Sequence, residues 1–288
     1  MPIVLIVGAT RGLGAALANY HASQPDTTVF GTTRSAAGPK GDKLSDKIVW
    51  VPNIDVAQEN CGRSLVNQLP ALGGGGGMLE GGIKAFDIVY ITAGYFVTED
   101  FTNGPKWDEE VKMYSGFSLS KRDTYGRLTR LVATSAISPP FIVYSLSRAK
   151  FLKAGSKVVL VSSESGSITL RHEKEGGGNY GHHASKAALN MVGKLLSLDV
   201  KDKGIIISVV HPGFMRTEMT AGVGFDKYWD DGGAVPPEEA AKSLAEWVEK
   251  DLDMSKSGEY WAPRGPRDIG TADVTIGTGL PTPLQLPW

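Results

Sequence analysis

The feature that most restricts what this chain can fold into is a series of short, β-rich, almost wholly apolar runs separated by longer helical patterns. The runs are IVLIV at 3–7, TVFGTT at 28–33, IVWV at 48–51, FDIVYIT at 86–92, KVVLVSS at 157–163 and IIISVV at 205–210. Strands that are apolar on both faces need cover on both faces, and parallel neighbours need a connection long enough to hold a helix. With right-handed crossovers the pattern predicts an α/β fold: a doubly wound parallel sheet in a three-layer sandwich. No proline-rich linker divides the chain and the runs are needed in one sheet, so a single domain over 1–288 is expected. The polar, Gly/Pro-bearing, non-periodic stretches 101–126, 171–179 and 263–288 read as insertions or a tail. Gly73 to Gly77, with Gly81 and Gly82, read as a flexible surface loop, because each glycine costs about 1 kcal/mol relative to alanine inside a helix.

Composition narrows the function classes. Of 288 residues 41% are hydrophobic, enough for a substantial core, and 30 Lys plus Arg against 31 Asp plus Glu leave a net charge of −1. A chain so balanced has no overall field for nucleic acid or an anionic membrane, and neither is expected as a partner. The one cysteine, Cys61, cannot form an internal disulfide, and no Cys/His spacing suggests a metal site, which points to a reducing, cytoplasmic compartment. The apolar start Ile3 to Val7 lacks a basic leader and is far shorter than the ~20 residues of a membrane span.

The first run ends in GATRGLG and continues into AALANYHA, a helical pattern. Gly8, Gly12 and Gly14 permit a tight turn and let backbone N–H groups approach a pyrophosphate, while the helix N-terminus adds favourable partial charge. Thr10, Arg11 and Leu13 belong to the same turn, so dinucleotide binding is expected there. The second run ends in GTTRS, which lacks the acidic residue that would accept a ribose 2′-hydroxyl and carries Arg34 instead. A cation there suits a 2′-phosphate and Arg11 supplies a second, so NADP(H) is favoured over NAD(H).

Together with Asp55-Val56, TAG at 92–94, SSESGSI at 162–168, ASKAALNM at 184–191, HPGFMRTEM at 211–219 and LPW at 286–288, these segments resemble the short-chain dehydrogenase/reductase family. The resemblance spans nearly the whole chain and is strongest to the carbonyl-reductase-like branch. It implies a Rossmann-type fold, NADP(H) across the C-terminal edge of the sheet, and homo-oligomerisation through two long central helices. It also implies adenine contacts at Asp55 and Val56, and cofactor contacts at Ala93, Gly94, Pro212, Gly213 and Thr217. The family transfers hydride between a nicotinamide and a carbonyl or alcohol. A tyrosine serves as acid or base, a lysine four residues later binds the ribose, a serine holds the substrate oxygen, and an asparagine supports a proton relay. Ser163 matches the serine and Lys186 the lysine. The tyrosine position holds His182, the asparagine position falls on Ser135, and the asparagine of the family's NAG is replaced by Thr92.

Tyr180 cannot stand in for the missing tyrosine. On a helix His182 and Lys186 lie about 40° apart, whereas Tyr180 is about 240° from Lys186. Imidazole titrates near 6.5 and a phenol near 10, and Lys186 close by favours the neutral imidazole, so His182 suits a base better than an acid. His183, within one turn of Lys186, also stays open as a contributor. The reading is an NADP(H)-dependent enzyme acting on a small organic carbonyl or alcohol with an atypical histidine acid/base. Two others stay open: a non-redox isomerase, dehydratase or cyclase with His182 as the proton-transfer residue, and an inactive protein that senses NADP(H). Tyr95 and Phe96, with Phe225, Tyr228 and Trp229 in the segment 218–235, suit a bulky or aromatic small-molecule substrate, or else anchor a lid. The stretch 171–179 lengthens the gap between Ser163 and His182 and is expected at the pocket mouth.

Overall fold

A computed structural model describes residues 1–39, 41, 43–73, 83–94, 96 and 135–288. The expected insertion 101–126, Tyr95 and the glycine-rich stretch beyond Gly73 lie outside the described residues. In chain order the elements are β1 (Ile3–Val7), α1 (Gly12–Ser23), β2 (Thr28–Thr32), β3 (Ile48–Val51), α2 (Cys61–Gly73), β4 (Ile88–Ile91), α3 (Ser138–Arg148) and β5 (Lys157–Val161). They continue with α4 (Tyr180–Asp199), β6 (Ile206–Val210), α5 (Glu218–Gly222), α6 (Pro237–Lys250), β7 (Tyr260–Ala262), α7 (Ala272–Thr275) and β8 (Leu284–Gln285). The strands form one sheet in the order β3-β2-β1-β4-β5-β6-β7-β8. All neighbours are parallel except β7 and β8, which are antiparallel. This is the α/β Rossmann-type fold, and the strand order reverses between β1 and β4, where such sheets open a crevice at their C-terminal ends.

Alternation along each strand explains the two helix layers. Leu5 and Val7 of β1, with Val158 and Leu160 of β5, join one core together with Leu65 and Leu69 of α2, Ile142 and Leu146 of α3 and Leu189 of α4. Val4, Ile6, Val159 and Val161 point the other way, into a core completed by Leu13 and Leu17 of α1 and Leu244 and Val248 of α6. Each fully buried leucine, such as Leu17 or Leu65, stabilises the fold by about 2 kcal/mol relative to leaving it in water. The 20-residue helix α4 buries His182, Lys186, Leu189, Gly193 and Leu196, positions that share one face at helical spacing.

The stretch 263–288 is built into the fold. Leu284 and Leu286 are buried in the same core as Tyr260, β8 pairs with β7, and the Trp288 carbonyl accepts from the Thr169 hydroxyl at 2.9 Å. Neither β7 nor β8 shows in the periodicity, because strands of three and two residues are too short to alternate.

One polar group interrupts the core on the α1 and α6 side. His21 is 1% exposed; its Nε2 lies 3.2 Å from the Tyr90 hydroxyl and its Nδ1 3.5 Å from Glu249. Glu249 would favour a charged imidazole, but burial wins and pulls the His21 pKa down to about 4. The contact at neutral pH is therefore that of a neutral ring. Because the unfolded chain takes up this proton near 6.5, stability is full above that pH and is lost as pH falls towards 4, by about 3 kcal/mol for this residue. Urea unfolding between pH 7 and 4 should show that decline, and His21→Leu should flatten it; an unchanged slope in the variant would show that His21 is not its source.

Candidate active site

The crevice at the C-terminal ends of the strands is a cleft of about 1610 Å³. At one end β1 turns into α1. Gly8 has φ +95, a conformation side chains rarely adopt, and its N–H donates to the Thr32 hydroxyl at 3.0 Å. A Cβ at Gly14 would collide with the Gly8 carbonyl, so only glycine lets α1 start so close to the strand. The α1 N-cap residue, Arg11, makes no side-chain cap, which leaves first-turn N–H groups for an anion. Gly8, Thr10, Arg11, Gly12, Leu13 and Gly14 all line the cleft there.

Arg34, exposed just beyond β2, lines the same end, as do Asp55 and Val56 after β3. The Asp55 carboxylate accepts the Ala57 N–H at 3.0 Å. Ala93 and Gly94 follow β4 along the floor. Thr92 donates its hydroxyl to the carbonyls of Val7 and Gly8, at 3.0 and 3.2 Å, and ties β4 to the glycine turn. Pro212, Gly213 and Thr217 close the opposite wall, with Thr217 also capping α5.

Ser163, His182 and Lys186 line the middle of the cleft. Lys186 is buried, its ammonium donates to the Val161 carbonyl at 3.1 Å, and burial lowers its pKa to about 8. His182 lies one turn before it, tilted at 38° against the Phe96 ring with centroids 4.1 Å apart. Burial first, then the charge of Lys186 and the neighbouring His183 and Arg171, push the His182 pKa well below its ordinary value. Among the described residues its buried Nδ1 has no hydrogen-bond partner.

Ser135 is buried at the turn into α3, beside the core residue Ala136, and is not among the described residues that line the cleft. Tyr180, at the start of α4, does not line the cleft either.

The stretch 171–179 folds over the mouth. Arg171 pairs with Glu164, with Glu175 at 2.8 Å, and with His183 Nε2 at 3.2 Å. His183 Nδ1 is 2.9 Å from the Asn179 carbonyl, so both its nitrogens are engaged. Nothing in the periodicity singled out Glu164 or Arg171; the proximity of the two is a product of the loop's path. Of the lid aromatics, Phe225 and Tyr228 face the cleft, and Phe225 meets Phe96 edge to face at 5.5 Å. Trp229 instead anchors the lid, donating to the Thr220 hydroxyl at 3.3 Å beneath the Arg216 guanidinium. No cluster of three or more His, Cys, Asp or Glu that could hold a metal occurs among the described residues, and no described helix is long and apolar enough to cross a membrane.

Residues 122–227 match the short chain dehydrogenase family. Over 260 residues, 90% of this chain and 96% of the relative, it is 24% identical to the 1-hydroxy-2-glutathionyl-2-methyl-3-butene dehydrogenase of Rhodococcus sp. (strain AD45). Among solved structures, the NADPH-bound carbonyl reductase from chicken fatty liver superposes with a TM-score of 0.69 at 20% identity, covering 91% of this chain and 97% of that one. The carbonyl reductase Sniffer of D. melanogaster gives 0.67 at 18% identity over 100% of both chains. The segment 122–227 is thus similar to the short chain dehydrogenase family, and the solved structures share the chain's Rossmann-type fold.

Proposed function

We propose that the chain is an NADP(H)-dependent oxidoreductase acting on a small organic carbonyl or alcohol, with His182, at the position of the family's acid/base, hydrogen-bonded at the reacting oxygen. The observation that carries this reading is the shared cleft: the glycine turn, Arg11 and Arg34 line one end, and Ser163, His182 and Lys186 line its middle. The residues present fit the cofactor. The glycine turn presents open N–H groups, and Gly94 leaves room above the Lys186 ammonium that even a Cβ, 3.6 Å away, would begin to fill. The NADPH or NADP bound in similar structures supports the same choice.

When bound, the nicotinamide supplies or accepts the hydride. The glycine turn would hold its pyrophosphate, Arg34 and Arg11 its 2′-phosphate, and Lys186 its ribose. Ser163 would hold the substrate oxygen. Because burial and nearby cations keep His182 neutral, it is a poor proton donor to a carbonyl, and the site suits an alcohol substrate better. Phe96, Phe225 and Tyr228 would supply the apolar wall for an aromatic or bulky substrate. The exposed Phe141 and Tyr144 of α3 and Met191, Leu195 and Leu198 of α4 support association with a second copy of the chain.

Two outcomes test this. Titrated by nicotinamide fluorescence, NADPH should bind more tightly than NADH, and Arg34→Ala should weaken NADPH by about tenfold or more while sparing NADH, since a charged hydrogen bond is lost. An equal loss for both cofactors would exclude Arg34 as the phosphate partner. In turnover limited by chemistry, the rate should fall as pH rises through about 8, where Lys186 loses its charge, and stay level down to about pH 6.5 because His182 is neutral there. His182→Ala should abolish turnover and keep NADPH affinity. A product lighter or heavier by two hydrogen atoms marks redox chemistry, whereas an isomer or the loss of water would replace this reading with a non-redox one.

A further inference from the structure

Ser163 is joined to a carboxylate by hydrogen bonds whose direction is fixed. Ser165 Oγ donates to Glu164 Oε1 at 3.0 Å, Ser163 Oγ donates to Ser165 Oγ at 3.0 Å, and the Ser165 N–H donates to Ser163 Oγ at 3.3 Å. A carboxylate can only accept, so the single hydrogen of Ser165 is committed to Glu164 and that of Ser163 to Ser165. Ser163 therefore has a lone pair, and no hydrogen, left for the cleft. The other Glu164 oxygen pairs with the Arg171 guanidinium. Ser163, Glu164 and Ser165 all line the cleft, and the Glu164 side chain is 19% exposed.

We propose that Glu164 is where the substrate proton comes to rest: an alcohol held at Ser163 passes its hydroxyl proton through Ser163 and Ser165 to the Glu164 carboxylate. This deepens the reading above and rests on it, because it needs hydride chemistry in this cleft. The substrate loses its O–H bond and one C–H bond, with the hydride going to oxidised NADP. Each serine releases one proton and receives one, and a new O–H bond forms at Glu164 Oε1, so the step balances. Ser163 touches the substrate; Glu164 acts through it as a positioning residue.

His182 fits this scheme as a hydrogen-bonding partner of the same oxygen. Burial beside Lys186 makes its imidazolium a poor resting place for a proton, and Glu164 stands at the far end of the serine pair on the lining of the cleft. The proton placed elsewhere in the family by a tyrosine would here leave by the serine pair. A purely structural Glu164 would only anchor Arg171, and the two roles separate experimentally because Ser165→Ala cuts the chain of hydroxyls and leaves the Glu164–Arg171 pair in place.

The test uses the full chain, oxidised NADP, and 1-phenylethanol, benzyl alcohol and cyclohexanol as probes, with NADPH binding titrated separately. Ser165→Ala and Glu164→Gln should each lower kcat for oxidation by about a hundredfold, with KM and NADPH affinity within about threefold of wild type. Ser165→Thr, which keeps the hydroxyl, should restore the rate. In mixtures of H2O and D2O the wild-type rate should curve with deuterium content, because several protons move together, and the Ser165→Ala rate should not. Ser165→Ala with the wild-type kcat overturns the relay and leaves the hydride reading intact. A wild type that binds no NADPH, or oxidises none of the three probes, overturns both.

Discussion

The rest of the molecule depends on how closely α1 can approach the end of β1. Gly14 packs against the Gly8 carbonyl with no room for a side chain, and Gly8 makes the turn at a positive φ. That contact sets the helix N-terminus at the sheet's C-terminal edge with its N–H groups open, and Thr92 ties β4 to the same turn. A longer residue at position 14 would push the helix away and widen the crevice where the strand order reverses. The cleft is thus a consequence of strand order and one close backbone approach.

Within the cleft, charge is distributed by depth. Arg11 and Arg34 are exposed at one end, where water screens them and a mobile phosphate can reach them. Lys186 is buried at the centre, held by a backbone carbonyl, where desolvation lowers its pKa and its charge in turn disfavours a second cation at His182. At the mouth Arg171 sits between Glu164 and Glu175, so charges of both signs are compensated locally. An uncharged imidazole buried beside an ammonium can accept a proton only weakly.

The six long strands were legible because a sheet covered on both faces needs apolar residues at consecutive positions. The glycine turn was legible because each of its residues has a backbone reason to be there. The two last strands were not: β7 and β8 owe their place to pairing and to burial of Leu284 and Leu286 against Tyr260, which no local pattern encodes. Ser135 was assigned by resemblance across a helix of low similarity, and it is buried at the turn into α3. The lid aromatics divided by geometry, since Phe225 and Tyr228 face the cleft while Trp229 holds the lid down.

By itself the sequence determined the layer architecture, the glycine turn between β1 and α1 and the helical register that puts His182 and Lys186 on one face, because all three are local: they follow from alternation, from glycine, and from about 100° per residue. Only the tertiary structure decided the protonation and hydrogen-bond direction at the site. Glu164, Ser165 and Arg171 interact through a loop that turns back on itself, and the lowered pKa of His182 comes first from its burial in the packed cleft. Such properties depend on how much water is excluded and which donor is already committed, and both are set by the packed whole rather than by any stretch of chain.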